Sequence, residues 1–355
     1  MNVINNLKNL KNNCMAEDKT LCEAIKKINK SNIKIVLLIN KKNRLCGVIN
    51  DGDIRRAILR GANLDDRAST VMQSKPLIVH GNTDPVIVKE IMKVNKIAYI
   101  PILDKKNLLK GLYTSHGQDE AEKNDNLFVL MVGGKGIRMR PFTIKCPKPM
   151  LLINGKPILE HILIKAINDG FRNFYFCINY LGHQVKKYFK NGNRWGVQIK
   201  YIREKKPLGT AGGIGLLPRS SKGPFIITNG DVLTNIDYSQ MLKFHNNNNS
   251  FATMAVYLYQ WKHMYGIIET NGIEITDINE KPISKSYINA GVYVLSSEAI
   301  RLIPQGKYID MTDFFLELKS KRKRVLAYPL HEPWLDVGRP NDLAQATSEK
   351  SLKLL

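Results

Sequence analysis

Residues 127–151 read LFVLMVGGKGIRMRPFTIKCPKPML, and this stretch decides the fold of the larger part of the chain. The apolar run 127–132 has strand length and no polar interruption, which is typical of a strand buried on both faces of a parallel sheet. Gly133, Gly134 and Gly136 follow it, and missing side chains let backbone N–H groups approach a ligand closely. The pattern predicts a strand that ends in a ligand-binding turn.

Four cations follow the glycines within a dozen residues, namely Arg138, Arg140, Lys145 and Lys148. A strand, a glycine turn and clustered cations together predict a cradle for phosphate groups. Two familiar phosphate loops do not fit. The segment lacks the GK[ST] ending of a Walker loop and the last glycine of GxGxxG.

The stretch resembles the signature of the sugar-1-phosphate nucleotidylyltransferases, GGxGTRLxPLTxxxPKPML followed by GKPxLE. The segment NGKPILE at 154–160 provides the second part, while Ile137 stands where the family usually has Thr or Ser. The resemblance covers residues 127 to about 341. It implies an α/β fold with a Rossmann-like, GT-A type domain and a mainly parallel sheet, which we expect at 127–355. Strands that alternate with helices after residue 154 favour the same class.

The family joins a sugar 1-phosphate to a nucleoside triphosphate and releases pyrophosphate. The resemblance implies that Gly133, Gly134, Gly136 and Arg138 bind the nucleotide. Arg138 would grip the triphosphate, and Lys148 would lie near the α-phosphate. Such transfers proceed mostly by positioning and charge stabilisation, so no protein nucleophile is expected. Asp231 completes the set of expected catalytic residues, with Arg138 and Lys148.

Three further segments extend the resemblance. LGTAG at 208–212 is similar to the base-recognition loop, with Gly209 and Thr210 as expected nucleotide contacts. Asp231 in NGD and Asp336 in WLDVG match the positions of two metal ligands. Carboxylates with phosphate oxygens suit Mg²⁺. The segments YG, EKP and NAGVY imply a sugar-phosphate site formed by Tyr265, Gly266, Glu280, Lys281, Asn289 and Gly291.

The first 120 residues contain a repeat of about sixty residues, each copy with a helix, a strand, a turn and a strand. This order resembles a pair of CBS motifs, and we expect a small α/β CBS-pair domain at 1–120. GVINDGD at 47–53 keeps Asp53, the acid that holds the ribose of an adenine nucleotide in that family, whereas the second copy has Gly117 there. A nucleotide sensor and a structural or oligomerising module are both open. The polar run 121–126 predicts a linker.

Composition limits the remaining classes. The chain has 355 residues, 43% hydrophobic and 24% charged, as is usual for a globular protein of two domains. No apolar run reaches eighteen residues and the N-terminus lacks a signal core, so no membrane association is expected. Five scattered cysteines without CxxC predict a reduced, cytoplasmic protein without zinc.

The net charge of +23 is compatible with nucleic acid, anionic lipid or phosphorylated small molecules as partners. No segment interleaves aromatic residues with cations, so no nucleic-acid partner is expected. A CBS pair joined to a transferase is most similar to bacterial guanylyltransferases, including the glucosamine-1-phosphate enzyme of legionaminic acid synthesis. That resemblance favours GTP, glucosamine 1-phosphate and a homo-oligomer. Heptose- or mannose-1-phosphate guanylyltransferases, thymidylyl- or cytidylyltransferases and a non-catalytic nucleotide sensor are the alternatives.

Overall fold

The computed structural model describes residues 2–4, 10–31, 33–95, 97–115, 123–219 and 223–347. The chain forms two compact units, Met1–Glu120 and Ala121–Leu355. None of the helices in the described ranges combines the length and the apolar character that a membrane span requires.

The smaller unit repeats one strand order. Its elements are β1 (Asn2–Ile4), β2 (Cys14–Ala16), α1 (Leu21–Lys30), β3 (Ile35–Ile39), β4 (Leu45–Asn50), α2 (Asp51–Leu59), β5 (Val79–His80), α3 (Pro85–Asn95), β6 (Tyr99–Leu103) and β7 (Leu109–Thr114). In the first copy β3 pairs parallel with β2 and antiparallel with β4. In the second copy β6 pairs parallel with β5 and antiparallel with β7. The two copies share this three-stranded order, as the sequence repeat predicted, and β1 adds a fourth strand to the second copy by pairing antiparallel with β7.

Helix α2 begins at Asp51, directly after its N-cap residue Asn50. Asn50 and Asp53 form a capping box in which the Asn50 side chain accepts from the Asp53 N–H at 2.9 Å and Asp53 accepts from the Asn50 N–H at 3.0 Å. The second carboxylate oxygen of Asp53 is paired with Arg56. The acid expected to hold a ribose therefore has both oxygens engaged within the first turns of its own helix.

The larger unit is organised around a seven-stranded sheet of order β12-β11-β8-β13-β18-β15-β19. Its strands are β8 (Asn124–Met131), β11 (Phe171–Ile178), β12 (Gln198–Arg203), β13 (Phe225–Asn229), β15 (Ala252–Lys262), β18 (Ile283–Leu295) and β19 (Val325–Leu330). Strand β18 alone among these seven runs antiparallel to its neighbours. The expected mainly parallel sheet is confirmed.

Strand β8 lies in the interior of this sheet, between β11 and β13, and carries the predicted apolar run. Phe128 and Leu130 enter the hydrophobic cluster on one face, and Val129 enters the cluster on the other. All three are fully buried. The uninterrupted apolar sequence arises because both faces of β8 are covered.

Helices cover the sheet, and short strand pairs connect them. The helices are α4 (Ile158–Asn168), α5 (Gly182–Phe189), α6 (Gly209–Gly212), α7 (Tyr238–Asn247), α8 (Ala299–Leu302), α9 (Met311–Ser320) and α10 (Pro340–Thr347). The short strands are β9 (Leu152–Ile153), β10 (Lys156–Pro157), β14 (Val232–Thr234), β16 (Ile267–Asn271), β17 (Glu274–Asn279) and β20 (Trp334–Asp336). Asn154 and Gly155, both at positive φ, make the β9–β10 hairpin turn.

The predicted linker at 121–126 is shorter than expected. Strand β8 begins at Asn124, whose N–H donates to the Gly170 carbonyl at 3.0 Å. Asn126 is fixed as well, because its side-chain amide donates to the Pro224 carbonyl at 2.6 Å. Polar side chains can lie at the rim of a sheet while their backbone groups pair with the neighbouring strand. The polar sequence at 124–126 therefore gave no indication that the strand begins at Asn124.

Strands β15 and β18 continue beyond the sheet as a two-stranded ribbon, paired from Tyr257 with Ile288 to Lys262 with Ile283. The hairpin β16–β17 lies between them in sequence, and every residue of its two strands is exposed. The ribbon separates the inner end of β18, at the sheet, from the outer segment that contains Glu280 and Lys281.

Candidate active site

The predicted phosphate turn and the predicted metal-binding acid emerge side by side from the sheet. Met131, the last residue of β8, pairs with Asn229, the last residue of β13. The Gly230 N–H donates to the Met131 carbonyl at 2.9 Å, so the two loops are joined where they begin. The carboxyl ends of parallel strands are where sheets of this kind bind ligands.

Asp336 reaches the same edge from a distant part of the sequence. It lies in β20, which pairs antiparallel with β14, immediately after Asp231. The Val337 N–H donates to the Asp231 carbonyl at 3.0 Å. The two expected metal ligands are therefore held by one small strand pair.

Lys148 joins these two carboxylates. Its Nζ forms an ion pair with Asp231 Oδ2 and lies 3.8 Å from Asp336 Oδ1. The lysine is only 7% exposed and begins the 3₁₀ turn Lys148–Met150. A buried ammonium is stable here because two carboxylates compensate its charge.

Asp336 has a perturbed carboxyl group. Burial raises its pKa above the usual range and the neighbouring Asp231 carboxylate raises it further, while Lys148 and Arg138 act in the opposite direction. Asp336 Oδ1 is buried and accepts no hydrogen bond from the described part of the chain. An unsatisfied oxygen beside a second carboxylate fits a hard divalent cation, so Asp231 and Asp336 suit Mg²⁺.

Gly136 and Gly134 have different surroundings in the glycine turn. Gly136 has φ +60°, and a Cβ there would lie 3.0 Å from Thr143 Cγ2 and 3.1 Å from Lys148 Cβ. Its carbonyl accepts from the Thr143 hydroxyl at 2.8 Å. Gly134 has open space around its Cα. Gly136 therefore closes the turn onto Lys148, and Gly134 leaves the backbone accessible.

Arg138 projects from the 3₁₀ turn Ile137–Met139 and is exposed. A Cβ on Gly338 would lie 3.5 Å from its terminal nitrogen Nη2, which places the guanidinium near the turn that follows Asp336. Ile137, the departure from the family pattern, is 62% exposed beside it. The structure thus brings Arg138, Lys148, Asp231 and Asp336 to one edge of the sheet.

Two side chains that the sequence did not single out fix the loop 138–148, which contains the four cations that follow the glycine turn. The Tyr180 hydroxyl donates to the Thr143 carbonyl at 3.1 Å and to the Ile144 carbonyl at 2.9 Å. Gln184 donates to the Lys145 carbonyl at 2.9 Å. These contacts fix the loop to α5, and they could not be read from sequence because they join residues about forty positions apart.

The second glycine segment, LGTAG at 208–212, packs tightly against residues 309–311. Gly209 has φ +77°, and a Cβ there would lie 2.5 Å from the Ile309 carbonyl oxygen. The Thr210 hydroxyl accepts from the Met311 N–H at 2.7 Å and lies 3.3 Å from Asp310 Oδ1. Gly209 and Thr210, expected as nucleotide contacts, thus make tight contacts with residues 309–311 in this structure.

Glu204 is the residue that sequence reasoning missed between the two glycine segments. It is 7% exposed, and its Oε2 accepts from the Leu208 N–H at 3.3 Å. A Cβ on Gly213 would lie 2.5 Å from Oε1, and one on Gly133 would lie 3.6 Å from Oε2. Burial raises the pKa of this carboxyl group. The YIREKKPLG context, with a charge before a glycine segment, was its only sequence signal.

The expected sugar residues fall into two groups. At the inner end of β18, a Cβ on Gly291 would lie 2.8 Å from Asn229 Nδ2, close to the Asp231 loop. The Asn289 side chain accepts from the Gly291 N–H at 3.0 Å and donates to the Tyr293 hydroxyl at 2.7 Å. The Asn289 side chain thus shapes the strand, and its expected place in the sugar-phosphate site stays a prediction.

The second sugar group lies at the outer end of the ribbon. Tyr265 is 78% exposed, and a Cβ on Gly266 would lie 2.7 Å from Glu280 Oε2. Lys281 Nζ lies 3.7 Å from Glu280 Oε1, and both side chains are largely exposed. The structure brings Gly266, Glu280 and Lys281 together as a second cluster.

The geometry agrees with comparison to known proteins. Residues 127–351 match the family described as nucleotidyl transferase. The chain belongs to the nucleotidyl transferase family. Residues 13–60 match the CBS domain, which confirms a CBS domain at the N-terminus, while the second copy and the bounds 1–120 stay predictions.

Curated members of the nucleotidyl transferase family are similar over part of their length. A mannose-1-phosphate guanylyltransferase of Mycobacterium tuberculosis is 31% identical over 62% of this chain and 63% of its own. The mannose-1-phosphate guanylyltransferase catalytic subunit beta of Drosophila melanogaster is 30% identical over 62% and 61%. A UTP–glucose-1-phosphate uridylyltransferase of Synechocystis is 30% identical over 61% of each chain. The chain thus spans less than two thirds of these relatives.

Two solved structures share this fold. HddC from Yersinia pseudotuberculosis, complexed with GMP-PN, aligns with a TM-score of 0.50 and 24% identity over 62% of this chain and 98% of its own. UDP-glucose pyrophosphorylase, complexed with UDP-glucose, aligns with a TM-score of 0.50 and 21% identity over 65% and 100%. These likenesses confirm the expected α/β fold.

Proposed function

We propose that the protein joins a sugar 1-phosphate to a nucleoside triphosphate and releases pyrophosphate. The observation that carries this proposal is the buried Lys148, placed between Asp231 and Asp336 beside an open glycine turn. The arrangement concentrates both signs of charge at the carboxyl edge of the sheet. A reaction between two phosphate anions needs such a site, because their mutual repulsion has to be neutralised.

In the proposed reaction an oxygen of the sugar phosphate attacks the α-phosphorus of the nucleotide. The new P–O bond forms as the bond to the β-phosphate breaks, and pyrophosphate leaves. The exposed Arg138 fork would hold the phosphates that depart, and Lys148 would stabilise charge at the α-phosphate. Mg²⁺ bound by Asp231 and Asp336 would supply further neutralisation of phosphate charge.

We infer that the base is guanine, and Glu204 supports this choice. Guanine presents two adjacent donors, N1–H and N2–H₂, on one edge, and a carboxylate only accepts hydrogen bonds. Uracil and thymine place a single N–H between two carbonyl oxygens. A carboxylate that accepted from this N–H would be repelled by the carbonyl oxygens on either side. The guanylyltransferase relatives agree with this preference.

For the sugar, the CBS module joined to the transferase supports glucosamine 1-phosphate, and the relatives named above support mannose 1-phosphate. We propose glucosamine 1-phosphate as the substrate, with mannose and heptose 1-phosphates as competitors. The unit Met1–Glu120 would regulate or assemble the enzyme, with an adenine nucleotide as its candidate ligand and a homo-oligomer as the product. Light scattering with and without AMP or ATP tests that part.

The decisive experiment measures pyrophosphate release by the full-length protein with Mg²⁺. Four nucleoside triphosphates are combined with glucosamine, mannose, glucose and heptose 1-phosphates. We expect release only when both substrates are present, and fastest release with GTP. A folded protein that is silent with every pair refutes the transferase proposal and leaves a nucleotide-sensing module, which nucleotide binding without turnover would reveal.

The base assignment has its own test. Glu204→Gln should lower kcat/KM for GTP by about tenfold or more, because a carboxylate that accepts two hydrogen bonds is replaced by an amide that repels one donor. Glu269→Gln, in the exposed hairpin strand β16, is the matched control. Equal effects on GTP and UTP would refute the role of Glu204 in base selection.

A further inference from the structure

Helix α9 begins with an exchange of capping groups between distant segments. Asp310 is its N-cap residue, yet its carboxylate makes no hydrogen bond to the helix. An aspartate at this position ordinarily accepts from the N–H two or three residues further on. Here the Thr210 hydroxyl, 101 residues away in sequence, accepts from the Met311 N–H at 2.7 Å.

The Asp310 carboxylate instead accepts hydrogen bonds from the second glycine segment, 208–212. Its Oδ1 accepts from the Thr210 N–H at 3.1 Å and lies 3.3 Å from the Thr210 hydroxyl. Its Oδ2 accepts from the Tyr308 hydroxyl at 2.8 Å. Both oxygens are thereby oriented, and the Asp310 side chain cannot rotate without losing contacts to Thr210.

Backbone hydrogen bonds also join the segment 208–212 to residues 307–311. The Ile309 N–H donates to the Leu208 carbonyl at 2.9 Å, and the Ala211 N–H donates to the Ile309 carbonyl at 3.0 Å. A Cβ on Gly212 would lie 2.5 Å from the Lys307 carbonyl oxygen. The segment 208–212 is thus held against residues 307–311 by contacts that leave no room for a side chain at Gly209 or Gly212.

The position of this segment sets the position of Glu204. Leu208 donates to Glu204 Oε2, and Gly213 limits the space beside Oε1. A shift of the glycine segment would therefore move the buried carboxylate or leave it without its donor. A series of direct contacts therefore connects Asp310, through the segment of Thr210 and Leu208, to Glu204.

We propose that Asp310 is a positioning residue for nucleotide selection, which acts through the segment 208–213 on Glu204. The inference rests on the proposed function, because it assigns the base contact to Glu204. Asp310 itself touches neither substrate. Its removal should weaken binding of the correct nucleotide more than it slows the chemical step.

The test compares Asp310→Asn with Asp313→Asn in the full-length protein. Both variants remove one negative charge from the first turn of α9, but Asp313 is exposed and makes no described contact with Thr210. Hydrogen exchange of the peptide spanning 204–213 is measured without nucleotide. KM, kcat and the GTP-to-UTP ratio of kcat/KM are then measured by pyrophosphate release.

For Asp310→Asn we expect faster exchange at 204–213, a KM for GTP raised about three- to tenfold, a nearly unchanged kcat and a reduced GTP-to-UTP ratio, since one charge-assisted hydrogen bond is weakened. Asp313→Asn should resemble the wild type in all four. Tyr308→Phe, which removes one donor to Asp310, should give a smaller change in the same direction. It replaces Asp310→Asn if that variant does not fold.

Exchange at 204–213 that is equal in the two aspartate variants overturns the inference at its first step. Faster exchange with an unchanged nucleotide ratio also overturns it, because Asp310 would then serve stability alone. If the wild type releases no pyrophosphate with any substrate pair, the transferase proposal itself fails. The exchange result then still reports whether Asp310 holds the segment, and binding of fluorescent GTP and UTP analogues decides the effect on selection.

Discussion

The buried Lys148 and the half-buried Asp231 form an ion pair although they stand 83 residues apart in sequence. One follows the turn after β8, and the other follows β13. Their contact fixes the relative position of the glycine turn and the acid-bearing loop. Three expected outcomes at this site and one elsewhere in the larger unit can be measured.

The first concerns the charge of Lys148. Lys148→Met keeps the length of the side chain and should reduce turnover about a hundredfold or more, because a cation that acts at the α-phosphate is lost. Lys187→Met, on the exposed face of α5, is the matched control and should retain turnover. Pyrophosphate release provides the rates, and thermal unfolding shows whether the variant remains folded. Near-normal turnover of Lys148→Met would refute the catalytic assignment.

The second concerns metal. Asp231→Asn and Asp336→Asn should each shift the Mg²⁺ titration of turnover to higher concentration, because each removes a charged oxygen ligand. Asp277→Asn, in the exposed hairpin, should leave the titration unchanged. A chelator should abolish turnover of the wild type, and added Mg²⁺ should restore it. Identical titrations for all variants would exclude these acids as ligands.

The third separates backbone strain from contact with the site. Gly136 and Gly155 both have positive φ, but only a Cβ at Gly136 would meet Thr143 and Lys148. Gly136→Ala and Gly155→Ala should each destabilise the fold by about 1 kcal/mol through strain. Gly136→Ala should in addition lower turnover, because it displaces Lys148. Equal turnover in the two variants would show that the turn tolerates a side chain.

The fourth is a pH dependence of stability. Burial lowers the pKa of His245 to about 4, and its ring nitrogens lie 2.9 Å from the Thr253 hydroxyl and 3.4 Å from the Ser296 hydroxyl. The unfolded chain takes up this proton near pH 6.5, so the free energy of unfolding should fall between pH 6.5 and 4 and not change further from this group below pH 4. The loss should be on the order of 3 kcal/mol.

Denaturant unfolding of the wild type and His245→Gln across pH 4–8 measures this effect. The variant has no proton to take up at this position, so its curve should be flatter between pH 4 and 6.5. Parallel curves for the two proteins would show that His245 does not govern the acid side of stability.

Much of this architecture could be predicted from sequence because it rests on local patterns. The apolar run of β8, the helix α4 with Gly170 after its end, and the Asn154–Gly155 turn all follow from periodicity and turn chemistry. The signature motifs also brought Lys148, Asp231 and Asp336 into one expected site.

Pairings between distant polar groups could not be predicted in this way. Glu204 lies between two glycine segments only once the sheet has formed, and Thr210 caps a helix 101 residues later. Asn289 and Asp53 matched family positions, yet their side chains satisfy neighbouring backbone or side-chain groups. A motif fixes the identity of a residue but not the partner of its side chain.

The reversed direction of β18 determines which part of the candidate site can change in length. Its inner end, with Asn289 and Gly291, is tied into the register of the sheet, while its outer end leads only to the exposed ribbon and hairpin. Paired residues added to or removed from the ribbon would therefore change the distance of Gly266, Glu280 and Lys281 from the sheet without altering the pairing of β18 with β13. The length of the ribbon thus sets the spacing between the two groups of residues, independently of the sheet.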